Sequence, residues 1–242
     1  NRNSRILIIS GEKMIKIDVD ERKWKKIKEE HSEWYSDNIL PNIRNAYEFI
    51  ESQKSKNYSM KKYLELLKKI IDKGKDFIIQ KELFLDYENK EIDKIIKIMK
   101  KKNKKSKSIL EIRFEKLNIS EEYLPNQLFC YKKLQTGNKD WNRHKLLSLI
   151  GIEVCPYCQR NYISSYEENN DEKTTADLDH FYPKSLYPFL ALSLYNFIPS
   201  CQICNSRFKG NKDTRDSVYL YEEGFDELGV KFKTSKEVIS EI

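Results

Sequence analysis

The chain reads as an α+β protein, with a mostly helical first part followed by a small metal-stapled module of strand, strand and helix. Three observations predict this. Apolar residues recur at three- and four-residue steps from Asp20 to Met99. Four of the five cysteines fall into two Cys-x-x-Cys pairs, Cys155/Cys158 and Cys201/Cys204. Between the pairs, Ala176-Asp177-Leu178-Asp179-His180-Phe181 alternates polar and apolar residues as a half-buried strand does. We place the helical part at residues 1–130 and the cysteine-bearing part at 140–242. Residues 118–140, with Pro125 and Gly137, read as an irregular connection between them.

Taken in order, the runs 6–9 and 14–19 read as an edge strand or an ordered arm. Trp24, Ile27, His31 and Trp34 then share one helix face, most simply a core face, with a partner-binding face as the alternative. Pro41 suits the first turn of a second helix carrying Ile43, Ala46, Tyr47 and Ile50. A third helix is predicted over 60–72 with Tyr63, Leu64, Leu67, Ile70 and Ile71 inward, ending near Gly74. A further amphipathic segment follows at 91–99, then a short element at 110–117 and a short helix at 141–150. The lysine-rich run 100–107 reads as a solvated loop or, alternatively, a phosphate contact; no aromatic residue interrupts it, which argues against base stacking. His31 and His144 lie in helical patterns and read as packed or surface residues.

No apolar run approaches the ~20 residues needed to span a bilayer, and no signal peptide is read, so the expectation is a cytoplasmic chain with no membrane partner. The net charge of +7 favours an anionic partner such as DNA. That support is weak, because Lys, Ile, Asn and Tyr are abundant together, as an A/T-rich genome produces.

Two Cys-x-x-Cys turns supply the four sulfurs of a closed tetrahedral Zn2+ site, and without a secretion signal metal binding is favoured over disulfides. Four thiolates leave no open position for water, so the zinc is structural. Cys130 is left over and reads as a small half-buried hydrophobe. Forty-two residues lie between Cys158 and Cys201, enough for structure of their own. Asp177 and Asp179 would share one face of the 176–181 strand, with His180 on the other. Residues 196–200 return as a second strand or loop, and a helix can start at Asn205, just past the second cysteine pair.

Asp179-His180, a downstream Asn196, then Cys201-x-x-Cys204-Asn205 with a basic residue and Gly210 resembles the HNH endonuclease family, of the ββα-metal group. The resemblance covers roughly residues 155–212, with His180, Asn196 and Asn205 at the three motif positions. Asn205 departs from the literal name, which has His there, but still offers an oxygen. The resemblance implies hydrolysis of DNA phosphodiester bonds. It implies His180 as general base, Asp179 and Asn205 as ligands of a catalytic Mg2+ or Mn2+, and Asn196 as a positioning residue. General chemistry agrees: neutral imidazole takes a proton from water, and hard oxygens suit Mg2+. Alternatives stay open residue by residue. Asp177 can replace or assist Asp179, Asn196 can cap a turn, and Asn205 can be a helix N-cap. Lys184, Arg207, Lys209 and Lys212 read as phosphate contacts or as surface charge.

A narrower similarity lies in Cys155-Pro-Tyr-Cys158, Asp179-His-Phe-Tyr-Pro-Lys-Ser185 and Tyr195-Asn-Phe-Ile-Pro-Ser-Cys201. These strings resemble HNH proteins paired with ATPases in Septu-like anti-phage defence systems. That implies an ATPase partner docking on the helical part. The competing class is a non-catalytic zinc-stapled nucleic-acid-binding module, which would have no need of Asp179, His180 and Asn205.

Overall fold

The computed structural model describes residues 15–54, 57–81, 90–100, 107–137, 140–168, 171–214 and 217–224. The run 6–9 and most of the lysine run lie outside them. Of the first arm, residues 15–19 are extended: the Ile15 and Ile17 amides donate to the Pro156 and Leu220 carbonyls (3.0 and 2.7 Å).

Helix α1 (Glu21–Asn38) starts where Asp20 accepts hydrogen bonds from the Arg22 and Lys23 amides, satisfying donors that have no partner inside the first turn. Its Ile27, His31 and Trp34 are buried, as their spacing predicts. Helix α2 (Leu40–Ser52) carries Pro41 in its first turn and buries Ile43, Ala46 and Ile50. Helix α3 (Tyr58–Lys73) buries Tyr63, Leu67 and Ile70 and stops at Gly74, whose φ of 56° is a conformation that side chains disfavour. A 3-10 turn, Gly74–Ile79, follows, then helices α4 (Lys90–Met99) and α5 (Ile109–Lys116). Ser108 and Glu111 form a reciprocal capping box at the start of α5.

Residues 118–137 are not the loose connection that their proline and glycine suggested. They hold a 3-10 turn (Glu121–Tyr123) and two short helices, α6 (Pro125–Leu128) and α7 (Lys132–Thr136). Leu124, Leu128, Phe129, Tyr131 and Leu134 are buried in the core. Elements of five residues or fewer show too little of a 3.6-residue repeat to be read. Helix α8 (Arg143–Ile150) starts at Asn142, whose side chain accepts from the His144 and Lys145 amides.

The second half holds two small antiparallel sheets. Strands β1 (Ser165–Glu168) and β2 (Asp171–Thr174) form a hairpin that the sequence reading missed, since their residues are polar on both faces. Strands β3 (Ala176–His180) and β4 (Phe197–Cys201) pair with Asp177 opposite Ser200, Asp179 opposite Ile198 and His180 opposite Phe197. A π-helical turn, Ile203–Lys209, follows β4 directly. The expected α+β class is therefore the observed one, with helices in the first half and small sheets beside a buried four-cysteine cluster in the second.

Helix α1 is the brace between the halves. The Trp24 indole donates to the Tyr195 hydroxyl at 3.1 Å. His31 is fully buried; one ring nitrogen meets the Leu192 carbonyl at 2.8 Å, and the other accepts from the Trp141 indole at 2.9 Å. A carbonyl can only accept, so Nε2 carries the proton and Nδ1 the lone pair. Burial lowers the pKa of His31 from 6.5 to about 4, against a smaller opposing effect of the Leu192 hydrogen bond. The folded chain thus refuses a proton that the unfolded chain accepts below pH 6.5. Stability is full above that pH and falls by ~3 kcal/mol as pH drops toward 4. Urea titrations at pH 7 and pH 4.5 test this. His31→Gln, which keeps a donor and an acceptor without titrating, is expected to lose markedly less stability over that interval than the wild type. An equal loss in both would contradict the assignment.

Candidate metal centre and catalytic cleft

The four cysteines predicted to form one site do so. Cys155, Cys158, Cys201 and Cys204 are buried, and their sulfurs all lie within 4.8 Å of one another. The Cys158–Cys201 sulfur separation is 3.9 Å. That is far beyond a disulfide bond of about 2.05 Å. It is close to the ~3.8 Å edge of a tetrahedron of sulfurs around Zn2+ with bonds of about 2.3 Å. The donors around the sulfurs suit thiolates. The Cys201 amide donates to Cys155 Sγ (3.3 Å), the Cys204 amide to Cys201 Sγ (3.5 Å), and the Asn161 side chain to Cys201 Sγ (3.2 Å). Such outer hydrogen bonds hold metal ligands in place. The donor set fits zinc and is closed to water.

β3 begins beside this cluster, since Ala176 pairs with Cys201, and it ends at His180. Asp177, Asp179, His180, Asn205 and Lys209 line one cleft of about 380 Å³. Strand alternation predicted that His180 would face away from the two aspartates. It nevertheless lines the same cleft, as the last residue of β3, paired with Phe197.

His180 is 6% exposed. Its Nε2 lies 2.9 Å from the Ala191 carbonyl and donates to it, which leaves Nδ1 as the basic nitrogen. The ring packs edge-on against Tyr131 (centroids 4.7 Å apart) and Phe197 (5.3 Å). Burial, with Lys184 as a second cause, lowers its pKa from 6.5 to about 3, so the imidazole is neutral at physiological pH.

Asn196 is fully buried and holds the loop that carries this carbonyl. Its Oδ1 accepts from the Tyr182 amide (2.7 Å), and its Nδ2 donates to the Tyr182 and Leu190 carbonyls (3.1 and 3.0 Å). Its side-chain contacts are therefore with backbone.

Asp179 is buried with its oxygens engaged: Oδ2 accepts from the Tyr157 hydroxyl at 2.7 Å and Oδ1 from the Lys209 ammonium at 3.0 Å. Burial raises its pKa, and Lys209 is the first influence pulling it down. Lys209 also donates to the His180 carbonyl at 2.6 Å. Its side chain is 5% exposed, so this lysine is an internal ion-pair partner, not a surface charge. Removing one member of such a buried pair costs ~3–5 kcal/mol, because the other is left charged and unpaired.

Asn205 pairs with Asp177 instead of Asp179, its Nδ2 donating to Oδ2 at 3.0 Å. The π-helical turn sets this up. The Gly210 amide donates to the Asn205 carbonyl five residues back (2.8 Å), which widens the turn so that both Asn205 and Lys209 face β3. Each carboxylate oxygen keeps a further lone pair, and the Asn205 amide keeps its own oxygen. Asp177, Asp179 and Asn205 thus offer hard oxygens of the kind that divalent cations take.

Of the remaining cations, Lys184 lines the cleft with its ammonium 4.8 Å over the Tyr131 ring. Arg207 and Lys212 are exposed and do not line it. Three lining residues that the sequence reading passed over come from before the first cysteine pair: Tyr131, Gln135 and Arg143. No motif marks them. The only sequence signal is that the segment lies just before the first cysteine pair.

The fold and site define a mixed helix-and-sheet protein with a four-cysteine metal-binding module and, next to it, a polar cleft built on a buried histidine. No family model matches the chain, and no solved structure matches it. Among curated proteins, it is 33% identical over 102 residues to the Septu protein PtuB of Bacillus thuringiensis. The match covers 41% of this chain and 34% of that protein, so the matched stretch is about a third of the relative's length.

The cysteine geometry carries its own test. Elemental analysis of the purified chain is expected to find one zinc per chain, and Cys201→Ser to lose it together with a large drop in melting temperature. Full zinc content in Cys201→Ser would contradict a four-sulfur site.

Proposed function

We propose that the chain is a metal-dependent endonuclease of the HNH type that hydrolyses DNA phosphodiester bonds. One observation carries the reading: His180 is buried and neutral, with its Nε2 proton committed to the Ala191 carbonyl and its Nδ1 lone pair left in a cleft of oxygen ligands. In His31, by contrast, both ring nitrogens are hydrogen-bonded inside the core.

In this reading His180 Nδ1 takes the proton from the attacking water. The Ala191 carbonyl fixes the tautomer, and Asn196 fixes the loop that supplies it. Asp179 and Asn205, with Asp177 beside them, hold Mg2+ or Mn2+, which when bound relieves negative charge on the phosphate and the leaving oxygen. Lys209 keeps Asp179 ionised in its buried setting. Lys184 meets the nucleic-acid backbone from the cleft, and the exposed Arg207 and Lys212 add positive charge outside it, near the π-helical turn. The zinc cluster keeps β3, β4 and that turn in register and takes no part in the reaction.

The similarity to the Septu protein supports a role as the effector of a Septu-like anti-phage defence system. An ATPase partner would then dock on the helical first part, residues 1–130, and helix α1 would pass its state to the cleft through His31 and Leu192.

The experiment is a nicking assay on plasmid DNA with Mn2+ or Mg2+, run with and without the partner ATPase. His180→Ala is expected to lower cleavage by ~10²–10⁴-fold while zinc content stays at the wild-type level. Undiminished cleavage by a clean His180→Ala preparation would refute the assignment.

A further inference from the structure

Part of the cleft lining comes from the segment that precedes the first cysteine pair. Tyr131 is 7% exposed and packs edge-on against His180. Arg143, the first residue of α8, lines the same cleft. The Tyr131 hydroxyl and the Arg143 Nε are both buried and neither makes a hydrogen bond of good geometry among the described residues, although the guanidinium lies close enough to the phenol to act on it. Two unsatisfied donors in one cleft are costly and call for an explanation. Burial keeps the Tyr131 phenol protonated, so it remains a donor.

The chemistry of the missing partner follows from what the donors lack. A guanidinium has no acceptor, and it presents a planar fork that suits two oxygens of one anion. A phenol beside it adds a further donor, and the Lys184 ammonium over the Tyr131 ring adds a second positive charge. Asp177, Asp179 and His180 line the same cleft, so an anion bound by these donors would share it with the imidazole and the two carboxylates. An anion placed there has its acceptors toward Arg143 and Tyr131 and is within reach of the imidazole.

We propose that Arg143 and Tyr131 form a phosphodiester-binding subsite, in which the guanidinium and the phenol hold non-bridging oxygens of the backbone phosphate presented to His180. The choice of a phosphodiester as the anion rests on the nuclease reading; the existence of an anion subsite rests on the two unsatisfied donors. This gives the cleft a substrate-holding residue from outside the strand–strand–helix stretch. It also ties the segment before the first cysteine pair to function, through Tyr131 beside α7 and Arg143 at the start of α8.

The test uses the full zinc-loaded chain without added Mg2+ or Mn2+. The probe is a thymidine dinucleotide with a single phosphodiester, with inorganic phosphate as a parallel arm. The Arg143 side-chain N–H resonance, identified by its loss in Arg143→Lys, is expected to shift saturably with the dinucleotide in wild type and in His180→Ala. Arg143→Gln is expected to bind the probe ~10–100-fold more weakly, and Tyr131→Phe ~2–10-fold more weakly. Arg143→Lys, which keeps the charge but not the fork, should recover only part of the loss. Melting curves establish that each variant is folded; if Arg143→Gln is not, the resonance shift in wild type decides alone. No shift, or wild-type affinity in folded Arg143→Gln, would overturn the subsite. A shift with phosphate but none with the dinucleotide would overturn the phosphodiester assignment. Plasmid cleavage separates the two readings. DNA cut equally well by wild type and Arg143→Gln removes the subsite and keeps the nuclease, whereas dinucleotide binding at Arg143 in a chain that cuts no DNA does the reverse.

Discussion

Three successive backbone carbonyls, those of Leu190, Ala191 and Leu192, each accept a hydrogen bond from a different buried side chain. Asn196 takes the first at 3.0 Å, His180 the second at 2.9 Å and His31 the third at 2.8 Å. The three donors come from the turn just before β4, the end of β3 and the middle of α1. A buried carbonyl without a partner is costly, so this short loop has one conformation in which all three are satisfied. That conformation fixes the tautomer of His180 and so decides which nitrogen faces the cleft. It also binds the helical half of the chain to the half that bears the cysteines. The rest of the site is arranged around an imidazole that this loop has already oriented.

Burial sets the electrostatics of what surrounds it. His31 and His180 both have lowered pKa values because the interior disfavours the imidazolium. Asp179 would drift toward its neutral form for the same reason, and the Lys209 ammonium opposes that. The cleft therefore holds a neutral base, an ion-paired carboxylate and a solvent-accessible Asp177–Asn205 pair side by side. The cysteine cluster makes the arrangement possible: it closes the far end of the β3–β4 ladder and starts the π-helical turn that points Asn205 and Lys209 back at β3.

Much of this could be read from the chain. The helices with apolar stripes, α1 to α4, lie where periodicity puts them, because a face of several turns leaves a clear 3.6-residue signature. The cysteine cluster was legible because Cys-x-x-Cys pairs have few other uses. The choice of partners inside the cleft was not legible. Asp177 and Asp179 are equivalent by strand alternation, and only the three-dimensional reach of Lys209 gives Asp179 to the ammonium and Asp177 to Asn205. Lys209 looked like surface charge because burial of a lysine depends on a partner thirty residues away. Tyr131 and Arg143 were hidden for a related reason: they sit in short elements without periodicity, and what joins them to the cleft is tertiary packing alone.

The central claim is that the Ala191 carbonyl holds His180 as the neutral Nε2–H tautomer with a free Nδ1. Nitrogen-detected NMR of the histidine rings in the zinc-loaded chain, followed from pH 8 down to pH 5, tests it directly. The account predicts a single neutral His180 signal with a proton on Nε2 and an unprotonated Nδ1 throughout that range. A ring protonated on Nδ1, or one that becomes doubly protonated near pH 6.5, would contradict it.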